Sequence, residues 1–267
     1  MANTSENLLI QAKEHFYALR LLESYAIFRR FFDRIPFQPE KRHAEYIGMF
    51  ARLLAELGKT SELKFYMGEL ERWQSKLHDP SIAYQLAIVY SYLPEPRIES
   101  ARRIFEQLLK DPNAADYRLK ARMMLADYYD NKNDLGACRQ LIFGVDLNDV
   151  DDPVLNLMYQ VWRGKILSDE NQHDEAMKIV TSVLEQVSVE TNWYLYWWCK
   201  VILARTYFRV KRKKDAQRII TEVKEFLKIR RCRSLENHLS WLQQFDDLVS
   251  QARTAATTKS RTIRGEL

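Results

Sequence analysis

The chain has 267 residues, of which 46% are hydrophobic and 12% aromatic, and this excludes wholesale disorder. Only 7 glycines and 7 prolines punctuate it, too few for a sheet-rich fold that turns roughly every ten residues, so the composition favours helix. The net charge of +5 is a mild excess, and Cys138, Cys199 and Cys232, with no CxxC pair, argue against a disulfide framework or zinc knuckle and for a reducing compartment.

In chain order, a first helix is expected from Ser5 to Ala18 and a second from Leu22 to Arg34, ended by Pro36 and Pro39. Tyr17 and Ala26 set the register of this pair, a degenerate repeat of the kind found at array ends. A second pair covers Glu40 to Lys76 and turns at Gly58. The third covers Pro80 to Lys110 and closes on Asp111-Pro112-Asn113. The fourth runs from Ala114 to Gly144, turning between Asn131 and Asp134. An acidic connection, Asp146 to Pro153, leads to the fifth pair, Val154 to Val187. The sixth runs from Asn192 to Ile229, with Lys211 to Lys214 near its turn. A last helix, Leu235 to Ala252, places Leu239, Leu242, Phe245 and Val249 on one face and can cover the open end of a stack. We therefore expect one helical-repeat domain over residues 5–252 and a flexible polar and basic tail over 253–267.

One spaced pattern returns through these pairs. A small residue is followed three positions on by Tyr or Leu, nine further on usually by another small residue, then by an apolar one four later. The copies begin at Ala51, Ala126, Gly164 and Ala204, and one copy, stretched by two residues around Pro94 and Pro96, begins at Ala87. The starts are 36, 39, 38 and 40 residues apart. A small residue is required wherever two helices of a pair approach closely, since a close-packed interior resists added volume. Such a period points to stacked helix pairs.

Leu203-Ala204-x-x-Tyr207, followed by Ala216-x-x-x-Ile220-x-x-Val223, resembles a tetratricopeptide repeat, and Asp111-Pro112-Asn113 resembles that repeat's closing turn. The resemblance covers about Glu6 to Ile229. Here the repeats are longer than the family's, the early Trp is absent, and most copies lack the closing Pro. The resemblance implies an all-α, right-handed superhelical array of about six antiparallel hairpins plus a capping helix, whose first helices line a concave groove. It also implies binding of an extended peptide or a partner's helix there. Its Lys and Asn for gripping a C-terminal carboxylate are missing, because the second pair carries Gly48 and Arg52 instead.

Carried onto this chain, the register nominates groove residues: Arg52 and Met49; Tyr84, Gln85 and Ile88; Lys120, Met124 and Asp127; Trp162 and Lys165; Trp198, Ile202, Arg205 and Arg209. Cationic, aromatic and Met side chains together suit a peptide with acidic and apolar groups. Packing between neighbouring repeats is the alternative role for any of them. The run Trp193 to Cys199 reads as the start of a helix wedged between repeats, with surface recognition as its alternative.

Charge is unevenly divided. Lys200 to Arg233 holds 13 Lys or Arg against 3 acids, whereas Gly144 to Asn192 holds 10 acids against 3 Lys or Arg. The basic patch comprises Lys211, Arg212, Lys213 and Lys214, then Arg230, Arg231 and Arg233. It reads as a solvated face, as steering for an acidic protein partner, or as a nucleic-acid footprint. No HExxH, Gly-rich phosphate loop or GxSxG is present, and His173-Asp174-Glu175 reads as a turn followed by helix-starting acids. Asp149, Asp151 and Asp152 lack the spacing of a calcium loop. The sequence thus predicts a non-enzymatic adaptor or scaffold for a protein or peptide partner with acidic groups. No cofactor or metal is expected. The start shows no signal-peptide pattern and no run spans a bilayer, so we expect a cytoplasmic location. Regulatory nucleic-acid binding through residues 200–233 is the alternative.

Overall fold

The computed structural model describes residues 2–18, 20–33, 43–93, 95–229, 235–237, 239–240 and 242–244. Among them every regular element is a helix. The pairs are α1 (Ala2–Tyr17) with α2 (Leu21–Phe32), α3 (Ala44–Glu56) with α4 (Thr60–Leu77), α5 (Pro80–Tyr92) with α6 (Ile98–Lys110), α7 (Ala115–Asn131) with α8 (Leu135–Phe143), α9 (Pro153–Asp169) with α10 (His173–Leu184), and α11 (Val189–Arg209) with α12 (Lys213–Ile229). Pro36, Pro39, Pro94, Cys232, most of the expected capping helix and the tail lie outside the described residues, as do Arg230, Arg231 and Arg233.

Local sequence explains where these helices start. Asp79, Asp134 and Asp152 each accept a hydrogen bond from a backbone N–H in the first turn that follows, at 2.8, 3.0 and 2.9 Å. Pro80 and Pro153 occupy first-turn positions where no N–H is needed. The acidic connection is therefore partly capping machinery. Ser188 and Thr191 form a reciprocal cap on α11, and Asn192 then breaks the helical dihedrals and accepts from Leu195 N at 3.1 Å. Asn192 is a second cap inside α11, so the aromatic run begins a fresh helix at Trp193.

The repeated positions lie in the core. Ala51, Ala87, Ala126 and Ala204 are fully buried, as are Leu63, Cys138, Ala216 and Val180 from the second helices. The first pair departs from the expected register. Ala26 is exposed, while Ala12 and Ser24 are fully buried. Ser24 Oγ donates to Ala12 O at 2.8 Å, just as Cys138 Sγ donates to Ala126 O at 3.2 Å. Ala12, His15, Ser24, Phe28 and Phe31 thus form a full copy of the pattern, displaced from Tyr17 and Ala26. The turns repeat too. His15, Leu54, Tyr129, Leu167 and Tyr207 each offer a carbonyl to the N–H five residues on, at 2.8–2.9 Å. Gly58, Asn133, Asn171 and Lys211, each seven residues after the first small residue of its copy, take a left-handed φ of 58° to 68° that closes the turn.

Odd-numbered helices form an inner layer: α1 packs on α3, α3 on α5, α5 on α7, and α9 on α11, whereas each even helix packs mainly on its neighbours in sequence. Tyr159 OH, donating to Leu119 O at 2.8 Å, ties α9 to α7. The first and last pairs also meet. α1 packs against α11, and the buried Trp193 Nε1–H donates to Phe16 O at 2.8 Å. That carbonyl lies in the last turn of α1, where no intrahelical donor remains.

Candidate functional site

Five of the inner helices line a cavity of about 510 Å³. Each of α3, α5, α7, α9 and α11 contributes a stripe at helical spacing: Arg52 from α3; Tyr84, Ile88 and Tyr92 from α5; Met123, Met124, Asp127 and Asp130 from α7; Met158, Trp162 and Lys165 from α9; and Tyr194, Trp198, Val201, Ile202 and Arg205 from α11. Trp162 and Trp198 meet edge to face at 5.3 Å, and Tyr194 lies 6.2 Å from Trp198, making one aromatic wall.

At one end stands Arg52. Its guanidinium lies over the rings of Tyr92 at 5.4 Å and Phe16 at 5.7 Å, and its buried Nε has no hydrogen-bond partner among the described residues. Burial works against its charge, but the phenols of Tyr92, Tyr17, Tyr194 and Tyr84 act the other way and hold its pKa above the usual arginine value. Burial pushes the Tyr84 and Tyr194 hydroxyls far up, so both stay protonated and able to donate.

At the other end is a charge network. Asp169, with 4% of its side chain exposed, takes Lys165 at 3.1 Å and both Arg205 and Arg209 at 2.6 Å. Lys165 also pairs with Asp130. Asp127 opens onto the cavity, and no cation pairs with it among the described residues. Asp127 is exposed to solvent. Partial desolvation by the helices around it, with the like charge of Asp130 and against the pull of Lys165, raises its pKa to about 6.

Ten of the fourteen residues nominated for the groove line this cavity: Arg52, Tyr84, Ile88, Met124, Asp127, Trp162, Lys165, Trp198, Ile202 and Arg205. Four nominees lie elsewhere. Gln85 is buried against Gly48, filling the space a Cβ would take there; Lys120 stacks on Tyr117; Arg209 binds Asp169 and, at 2.5 Å, the Ser168 carbonyl. Met49 is core. The aromatic run divides its roles: Trp193 and Trp197 are core, while Tyr194 and Trp198 face the cavity. Sequence reasoning missed Tyr92, Met123, Asp130, Met158, Tyr194 and Val201. The available signal was periodicity, since Tyr92 and Tyr194 stand one turn from Ile88 and Trp198 on the same stripes.

The four described residues of the basic patch, Lys211 to Lys214, are exposed. Lys211 is the left-handed turn residue, and Arg212 pairs with Asp215 at 2.7 Å and lies over the Tyr207 ring. Lys200 pairs with Glu222 at 2.7 Å and Lys228 with Glu225 at 2.6 Å; Lys213 and Lys214 are exposed. Among the described residues no helix is long and apolar enough to cross a membrane. No family model, no curated protein and no solved structure matches this chain.

Proposed function

We propose that this chain is a non-catalytic recognition module, an adaptor or scaffold that holds a short peptide segment of a partner protein in the cavity between its odd-numbered helices. One observation carries the reading. Side chains from five helices, far apart in sequence, converge on a single space of about 510 Å³ with aromatic, Met and charged walls. That volume falls within the range of about 300–1,000 Å³ typical of ligand sites, and apolar walls with a few placed polar groups are their usual chemistry. On this reading the six pairs wind as a tetratricopeptide-like right-handed array whose first helices face the ligand. The in-phase copies from Ala12 to Val223 support it. Nucleic-acid recognition through Lys200 to Arg233 is the weaker reading, because Lys200, Arg205, Arg209, Arg212 and Lys228 each engage a carboxylate of this chain.

The test is selection of a random dodecapeptide phage library on the full chain, followed by fluorescence anisotropy of labelled winners. Met124→Trp fills the cavity. We expect enriched peptides whose affinity for that variant falls about tenfold or more. No enriched peptide, or winners that bind the filled variant as well as the parent, would overturn the proposal.

A further inference from the structure

Two charges on the cavity wall lack an opposite charge of their own. Among the described residues no carboxylate pairs with Arg52 and no cation pairs with Asp127, whereas Lys165, Arg205 and Arg209 all share Asp169. The unmatched groups come from different helices, α3 and α7, and face the same space. Tyr194 lies within electrostatic reach of both. The rest of that wall carries Ile88, Met123, Met124 and Met158 beside the polar Asp130, Asn131, Asn133, Lys165 and Arg205. Arg52 holds its guanidinium among aromatic rings with a buried Nε unpartnered, which costs free energy, and Asp127 is exposed, so a ligand's cation can reach it without displacing an ion pair of this chain.

We propose that the cavity selects a bipolar peptide segment, with an acidic side chain seated on Arg52 among Tyr84, Tyr92 and Tyr194, a basic side chain seated on Asp127, and apolar residues between them. This rests on the reading of the cavity as a peptide site and adds the chemistry of its ligand. A guanidinium fork matches a carboxylate with two parallel hydrogen bonds. The hydroxyls of Tyr84, Tyr92 and Tyr194 have no hydrogen-bond partner among the described residues and supply further donors to the same oxygens. A purely acidic ligand would satisfy Arg52 and be repelled by Asp127; a purely basic one would do the reverse. Only a segment carrying both charges removes both deficits, and Met side chains adapt to varied apolar residues between them.

The same dodecapeptide selection decides it through the composition of the enriched pool. Parent protein is expected to enrich peptides with an Asp or Glu and a Lys or Arg separated by apolar residues. Arg52→Met is expected to lose the acidic enrichment and keep the basic one, and Asp127→Asn to do the opposite. Parent-selected peptides should bind each variant about tenfold or more weakly. An enriched parent pool without paired charges, or variant pools with unchanged charge, would overturn this inference and leave the peptide reading standing. A parent selection that enriches nothing would overturn both. If Arg52→Met is unfolded by circular dichroism, the parent pool and the Asp127→Asn pool still separate these outcomes.

Discussion

Gly164 offers the sharpest test of how the helix pairs are held. A Cβ at this position would stand 2.5 Å from Val180 Cγ2 and 3.4 Å from the Ala176 carbonyl, both on α10. Val180 is fully buried, and a β-branched side chain on a helix has one dominant rotamer, so its methyl cannot swing aside. Two effects oppose each other in Gly164→Ala. Helix propensity favours Ala by about 1 kcal/mol, while overpacking a filled interface costs about 1–3 kcal/mol. The single substitution is therefore expected to leave stability unchanged or lower it by up to about 2 kcal/mol. Removing the obstructing methyls should change the sign. In a Val180→Ala background, itself costly, Gly164→Ala should stabilise by about 1 kcal/mol, giving a coupling energy of about 1–3 kcal/mol. Urea unfolding followed by far-ultraviolet circular dichroism measures all four proteins, with an unchanged m value as the check that only stability has moved. If Gly164→Ala alone gains its full propensity advantage and adds simply to Val180→Ala, α9 and α10 do not touch there, and the explanation of the recurring small residue fails.

Three further outcomes follow from the geometry. Lys211 holds a left-handed φ of 65° that costs an L-residue free energy, so Lys211→Gly should raise stability by about 0.5–1 kcal/mol in the same urea assay. Trp193→Phe removes the donor to the Phe16 carbonyl and should cost about 1–3 kcal/mol. Amide hydrogen exchange should then quicken in α1 while α7 to α10 keep their protection. Asp127, whose neighbours include Asp130 on α7, Lys165 on α9 and Tyr194 on α11, binds a proton more tightly in the folded chain, because its pKa stands raised to about 6. Its contribution is most favourable below the ordinary carboxylate value and is lost as pH rises through the raised one, so Asp127→Asn should raise the urea midpoint relative to the parent at about pH 8 but not at about pH 4. A midpoint unaffected at both would show that solvent screens the carboxylate fully.

The helix pairs are legible in the sequence because they rest on local rules: small residues at close approaches, capping Asp and Ser, and left-handed Gly or Asn at turns. Legibility fails where one residue type stands in for another. His15 occupies the Tyr or Leu position and Ser24 the small one, so the first pair looks degenerate in sequence although its packing matches the other five. Lys211 reads as part of a charged surface, yet its backbone performs the task that Gly58 and Asn171 perform elsewhere. Charge runs mislead for a related reason. Arg205 and Arg209 look free in the sequence because Asp169, which gathers them, belongs to the preceding pair. The cavity wall is legible to the extent that it follows helical stripes. The pairing of charges across those stripes is not, since it depends on which helices meet.

The contact between α1 and α11 changes what the inner surface can hold. An array that stays open presents a long trough, and affinity accumulates over many modest contacts along a partner. Here the buried Trp193–Phe16 hydrogen bond joins the first and last pairs, and odd helices from α3 to α11 line a space of about 510 Å³. A space of that size admits a few side chains rather than a folded surface, so selectivity must come from a small number of strong, placed interactions. The charge arrangement agrees. Lys165, Arg205 and Arg209 gather on Asp130 and Asp169 and stiffen the wall, and removing the nearly buried Asp169 would take a carboxylate from all three cations at once. Among the described residues Arg52 and Asp127 make no ion pair in the same wall. Had stability alone shaped the cavity, an apolar residue in place of Arg52 would have avoided the cost of desolvation, so Arg52 is better explained by what enters the cavity than by what holds it together.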